Sequence, residues 1–342
     1  MKLETYMNDI EDRLDTDEEA RLRDAWLRWA DHLNEDAPFA PPARSVSRSR
    51  LAWPHVNIND AINDPELSVY RELETVNRAL EKGTNGILRV RPNFGVGNIA
   101  TSFGAEQYIM PRETDELPNV KHLDRDALRA IPDRPLPKLT SGNFAMVMRV
   151  AERLTELREK YPKFAACVRM EQPDLQGPMD NLELLWGSDI FYAFYDEPET
   201  VHALLERIAG MIEKVLDEWL RIFPDPYRTA GYFRHIERGA IALRNDSVMN
   251  LSEAFFREFV MPYDGRLLKK YGGIVHFCGR GDHFIGALTE MEGLNGVNMS
   301  QPHLNDMEKI FAFTIDRGVH LSISTAPFEV TGHETRNLVF LP

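Results

Sequence analysis

Residues 239–279 read GAIALRND, then SVMNLSEAFFREFVMPYDGRLLKKY, then GGIVHFCG. The first piece is an apolar run that ends in Arg244, Asn245 and Asp246. The second carries apolar residues at helical spacing, with Ser252 placed to cap a helix. The third is another apolar run, GIVHF, that closes on His276, then Cys278 and Gly279. Strand, helix and strand in this order form the unit of a parallel sheet, because parallel neighbours need a crossover between them. Both strand pieces read as buried runs and not as alternating ones, which points to strands covered on both faces.

The same unit recurs outward in both directions. GILRV (86–90) and FAACVRM (164–170) are expected strands upstream; GVNMS (296–300), VHLSIST (319–325) and NLVFL (337–341) are expected strands downstream. Between them, 141–161, 180–187, 196–223 and 305–318 carry helical patterns. A further helix is well signalled at 64–82, with Asp64 as cap, Pro65 in the first position and Gly83 past the end. Seven or eight such units predict an α/β chain and, within that class, a (β/α)8 TIM barrel. Residues 1–50 are expected to be a helical N-terminal extension and linker, and 51–342 the barrel. The helix of the extension is expected over 5–34. The prolines and arginines of 37–50, including Arg44, Arg48 and Arg50, are expected to be a solvated connector.

The 342 residues are 43% hydrophobic, enough for a sizeable core. A formal charge of −14, from 40 basic and 54 acidic side chains, speaks against nucleic acid and anionic membrane surfaces as partners. It leaves room for a small-molecule substrate in a local pocket. No apolar run reaches the ~18–20 residues of a membrane span. Cys167 and Cys278 are the only cysteines, too few for a disulfide framework. The first twenty residues are acidic and polar, so a cytoplasmic location is expected.

In a barrel of this kind, chemistry collects where the strands end. Those ends supply Arg91 and Asn93, Gln176, Arg244 and Asp246, His276 and Cys278, and Ser324. Arg244, Asp246 and His276 are the candidate catalytic residues; Arg91, Asn93, Gln176 and Ser324 are the candidate substrate contacts. Residues two apart on a strand point to one side, so His276 and Cys278 can converge on one point. Imidazole and thiolate together suit a zinc ion. A pocket histidine beside a small buried thiol is the simpler alternative.

Four stretches together resemble the uroporphyrinogen decarboxylase superfamily of TIM barrels, which includes corrinoid-linked methyltransferases. They are FGVGNIATSFGAE (94–106), PDLQGPMDNLELLWGSDIFYAFYDEPETVHALL (173–205), RNDSVMNLSEAFFREFVMPYDGRLLKKYGG (244–273) and VHFCG (275–279). The resemblance implies that His276 and Cys278 contribute to a zinc site that activates a thiol for methyl transfer, with a corrinoid as substrate or carrier. It also implies a later cysteine in that site, and none follows Cys278. The alternatives are a truncated chain, another ligand (Glu237, His303 and His333 are the candidates), or a metal-free pair with a pocket role. Three functions follow. The first is a methyltransferase-like enzyme working with a corrinoid, on its own or on a carrier protein, or with a thiol acceptor. The second is a decarboxylase or lyase whose Arg91 and Arg244 hold carboxylates of a porphyrinogen-like substrate. The third is a non-catalytic tetrapyrrole-binding or scaffold barrel. A homodimer is compatible with each.

Overall fold

Ile241–Arg244 and Gly273–Phe277 are adjacent parallel strands in the structure, a computed structural model that describes residues 2–232 and 235–341. The described strands, in chain order, are β1 Arg89–Val90, β2 Gln107–Tyr108, β3 Asn119–Val120, β4 Arg169–Met170, β5 Thr229–Tyr232, β6 His235–Arg238, β7 Ile241–Arg244, β8 Gly273–Phe277, β9 Leu294–Met299, β10 His320–Ile323 and β11 Leu338–Phe340. Strands β7 to β11 form a five-stranded parallel sheet in sequential order, and β1 pairs with β4 in a second parallel sheet. The backbone N–H of Gly177 donates to the carbonyl of Arg244 at 2.7 Å, so the chain leaving β4 runs beside the end of β7. The chain is thus mixed α/β with parallel strands and helical crossovers. No pairing of β11 with β1 closes a ring among the described residues; a cleft of about 550 Å³ lies between Leu341 and residues 86–89. Among the described residues no helix is long and apolar enough to cross a membrane.

The strands of the main sheet are buried along nearly their whole length, yet their chemistry alternates. Leu243, Val275, Phe277, Val297, Met299, Leu321 and Ile323 join the main core with the helices, such as Pro198–Ile222. The intervening positions form a row across the sheet: Arg244 is in register with His276, His276 with Asn298, and Asn298 with Ser322. The expectation of strands that do not alternate is therefore corrected. Burial hides the alternation because both faces are covered, one by the helices and the other by further strands of the chain.

What covers the polar face is a hairpin that no sequence pattern announced. β5 and β6 pair antiparallel and pack against β7, β8 and β9. Ala230 and Tyr232 of β5 cluster with Ala242 and Ile274. The Tyr232 ring lies over His276, centroids 4.6 Å apart and planes 22° apart.

The first fifty residues differ from expectation in two respects. The helix over 5–34 is two helices, Leu3–Arg13 and Thr16–Ala30, and Asp15 caps the second through the amides of Asp17 and Glu18. The basic connector is not solvated at Arg44. Its guanidinium is buried and forked onto Glu19, with Nε and Nη2 at 2.7 and 3.0 Å from the two carboxylate oxygens. Met7 and Ile10 enter the main core, and Trp26, Trp29 and Phe39 pack with Ile236 and Val339. FAACVRM is also corrected. Pro162–Cys167 is a helix begun by Pro162, and only Arg169–Met170 is strand. A proline in the first helical position and two alanines outweigh the apolar run.

Candidate functional site

Beyond β7 the chain turns sharply, and the turn is held from a distance. Asp180, in the helix Pro178–Trp186, accepts from the amide of Asp246 at 2.8 Å and that of Ser247 at 2.9 Å. Burial pushes the Asp180 carboxyl up to about 8, although both amides pull the other way. Asn245 points away and donates to Asp264 at 2.5 Å. Asp264 is fully buried, and burial pushes it up to about 7. A side chain at Gly177 would collide with this arrangement, since its Cβ would lie 1.9 Å from Asn245 Oδ1. These contacts bring Asp246 beside the end of β8.

His276 is oriented from β9. Its Nδ1 lies 2.6 Å from Asn298 Oδ1. Asn298 spends its amide hydrogens on the Ser322 carbonyl at 3.2 Å and the Ser322 hydroxyl at 2.7 Å. Oδ1 must therefore accept, Nδ1 must carry the proton, and Nε2 presents a lone pair. That lone pair faces Cys278 Sγ at 3.2 Å and Asp246 Oδ1 at 3.5 Å. Asp246 Oδ1 also accepts from the Cys278 amide at 2.7 Å, and Cys278 Sγ lies 3.6 Å from Ser300 Oγ. Burial lowers the imidazole's proton affinity, against the pull of Asp246, and so favours the neutral ring. Burial also pushes the Cys278 thiol up, with Ser300 opposing.

Asp246, His276 and Cys278 are, among the described residues, a group that could hold a metal ion: one ligand atom from each lies within 4.8 Å of the others. Ligands bound tetrahedrally at ~2.0–2.3 Å stand roughly 3.3–3.8 Å apart, so the two contacts of Nε2 are close to the edges of such a site. The second nitrogen of a ligating histidine is normally held by an oxygen acceptor, and Asn298 does this here. Oxygen, nitrogen and sulfur donors in one cluster fit zinc chemistry. The side chain of His276 is 5% exposed and that of Asp246 46%, so the cluster opens to solvent on the aspartate side.

The other expected site residues gather in an adjoining cluster around Asp174. Arg244 donates to Asp174 at 3.1 Å, Gln176 donates to it at 2.7 Å, and Arg91 lies 3.6 Å from it. Asn93 touches Arg91 Nη2 at 3.4 Å and faces a separate small cavity with Glu72 and Leu117, because the chain after β1 has already left the sheet. Tyr232 joins the two clusters. The Arg244 guanidinium sits 5.1 Å from the centre of the ring that stacks on His276. Ser324 is 3.5 Å from the Asn298 amide, and with Asn298 and Ser300 it lines the 550 Å³ cleft.

None of the substitute ligands suggested by the sequence joins the group. Glu237 is buried against His320 Nδ1 at 2.6 Å. His333 lies between Asp316 and Glu308, and His303 is exposed in a short turn. The third member of the group is Asp246. Tyr232, Asn298 and Ser322 escaped the sequence reading. Asn298 and Ser322 could have been found by counting two residues back from the strand ends at Ser300 and Ser324; Tyr232 sits on the unannounced hairpin. No family model matches this chain, and no curated protein matches it.

Proposed function

We propose that this chain is a methyltransferase-like enzyme of the uroporphyrinogen decarboxylase type, with zinc held by Asp246, His276 and Cys278. The observation that carries the proposal is the convergence of those three donors, with His276 fixed in the ligating tautomer by Asn298. A zinc ion there would supply a Lewis acid able to keep a thiol as its nucleophilic thiolate at neutral pH. The protein's own part is to hold the donors and to shape the approach. Asp246 lies on the solvent side, Tyr232 covers one face of His276, and the cleft beside Ser300 offers room for the methyl donor, free or corrinoid-borne. A closed (β/α)8 ring belongs to the same proposal. The sequential parallel order from β7 to β11 and the bond from Gly177 to Arg244 support it.

The decarboxylase reading asks Arg91 and Arg244 to bind several carboxylates. Both already face Asp174, which leaves a single surplus positive charge between them. That is little for a polycarboxylate and favours the methyltransferase reading.

Elemental analysis of the purified chain, paired with an assay of methyl transfer from methylcobalamin to a small thiol, tests the proposal. About one zinc per chain is expected. His276→Ala and Cys278→Ser should each lose the metal and the transfer together, with the fold retained. A metal-free chain that transfers methyl groups equally well with His276→Ala would overturn it.

A further inference from the structure

A further cavity, of about 340 Å³, lies at the opposite end of the strands. It is bordered by the segments that lead into β4 and β5 and by the helix Thr16–Ala30. Its wall is mixed, with Val168, Met170, Phe223, Tyr227 and Ile236 as its apolar part. Five charged side chains also face it: Glu19, Asp225, Arg23, Arg158 and Arg169.

The charges do not balance within the cavity. Glu19 is already held by the fork of Arg44, and Asp225 by Arg169 at 2.8 Å. Arg23 and Arg158 remain. Arg23 donates to the carbonyl of Ala166 at 3.1 Å and lies 4.8 Å from the centre of the Tyr227 ring, but no carboxylate pairs with it, and its buried Nε has no partner among the described residues. The side chain of Arg158 makes no hydrogen bond or ion pair among the described residues, and only burial acts on its guanidinium, pulling it below its ordinary value. Cys167, also in the wall, has its thiol pushed up to about 11 by burial, so it adds no negative charge at neutral pH. A chain of formal charge −14 thus keeps two guanidinium groups, uncompensated among the described residues, beside one cavity. Half-buried charge without a partner is costly, and a bound counter-charge removes the cost.

We propose that this cavity binds a small organic anion, its carboxylate or phosphate held by Arg23 and Arg158 and its apolar body resting against Tyr227 and Phe223. Guanidinium groups match the planar, two-oxygen edge of such head groups. The volume suits a ligand of one ring or a short chain, since it is near the lower end of the ~300–1,000 Å³ usual for small-molecule sites. The site is independent of the metal centre, which lies at the other ends of the strands.

Calorimetric titration of the 342-residue chain with benzoate and with phenyl phosphate tests the inference. Inorganic phosphate and benzyl alcohol isolate the charge and the ring. At least one aromatic anion should bind at least tenfold more tightly than either control, and the tighter of the two identifies the head group. Arg158→Gln and Arg23→Gln should each weaken that binding tenfold or more. The Arg158 side chain makes no hydrogen bond or ion pair among the described residues, so the thermal midpoint of Arg158→Gln should match that of the unaltered chain. Absence of binding by both aromatic anions, equal binding by a control, or binding indifferent to both substitutions would overturn the proposal.

Discussion

Asn298 orients His276 through a 2.6 Å hydrogen bond. It fixes which nitrogen carries the proton, and Asn298→Ala would leave a buried N–H without an acceptor. We expect that variant to bind zinc about 10–100-fold more weakly and to lose about 1–3 kcal/mol of stability, read from chelator competition and a thermal melt. Asp264 offers a pH test. Its carboxyl has an ordinary value of 3.8 and is raised to about 7 in the fold. Between those values the folded chain keeps a proton that the unfolded chain has lost. Stability from this group is therefore greatest below pH ~4, falls by about 1.4 kcal/mol per unit as pH rises, and levels off above pH ~7. In Asp264→Asn that slope disappears, while the new amide can serve both Asn245 Nδ2 and Asn245 Oδ1, which has no partner among the described residues. Urea melts at pH 5 and pH 8 should show the variant gaining about 3 kcal/mol on the unaltered chain between the two; parallel slopes would refute the assignment. His276 and Cys278 were legible as a pair because strand periodicity is local. Asp246 was legible as a strand-end acid but not as the third donor, because its position depends on Asp180, 66 residues away.

Elements were read best where their signals are local. The helix Pro65–Lys82 has the cap, the proline and the left-handed Gly83 that its sequence announces. Strands β7 to β10 fall within a residue or two of their apolar runs. The hairpin β5–β6 was invisible because residues 233–234 are Phe-Arg, which carries no turn signature, and these two lie outside the described residues. Its pairing to the sheet is a matter of packing at a distance. The entry to β7 shows how tightly the hairpin is joined to the sheet. Gly239 has φ +111°, and a Cβ there would lie 2.1 Å from the backbone of Gly272. Gly239→Ala should cost about 3 kcal/mol or more, since backbone and not a flexible side chain must move. Gly318, with φ +77° and open space around its Cβ position, is the control; its alanine variant should lose only about 1 kcal/mol. Equal denaturation midpoints for the two would contradict this account.

Across the whole molecule, the N-terminal helices are part of the packed structure. Leu3, Met7 and Ile10 lie in the main core, and Trp26 and Trp29 pack under β6 and β11. Residues 51–342 expressed alone should therefore show no cooperative thermal transition and should bind hydrophobic dyes; a sharp transition near that of the full chain would disprove it. Net charge and composition could not reveal this dependence, because it lies in which side chains touch. The row of Arg244, His276, Asn298 and Ser322 has a wider consequence. Each stands on the face turned from the helices, while Leu243, Val275, Val297 and Leu321 hold the helices on the other. One strand thus answers to two separate selections. Substitutions at Arg244, His276, Asn298 or Ser322 should leave the helix contacts in place, whereas substitutions at Leu243, Val275, Val297 or Leu321 should disturb them. A scaffold of this kind can exchange the members of its polar row one residue at a time while the helix packing that holds the sheet stays as it is.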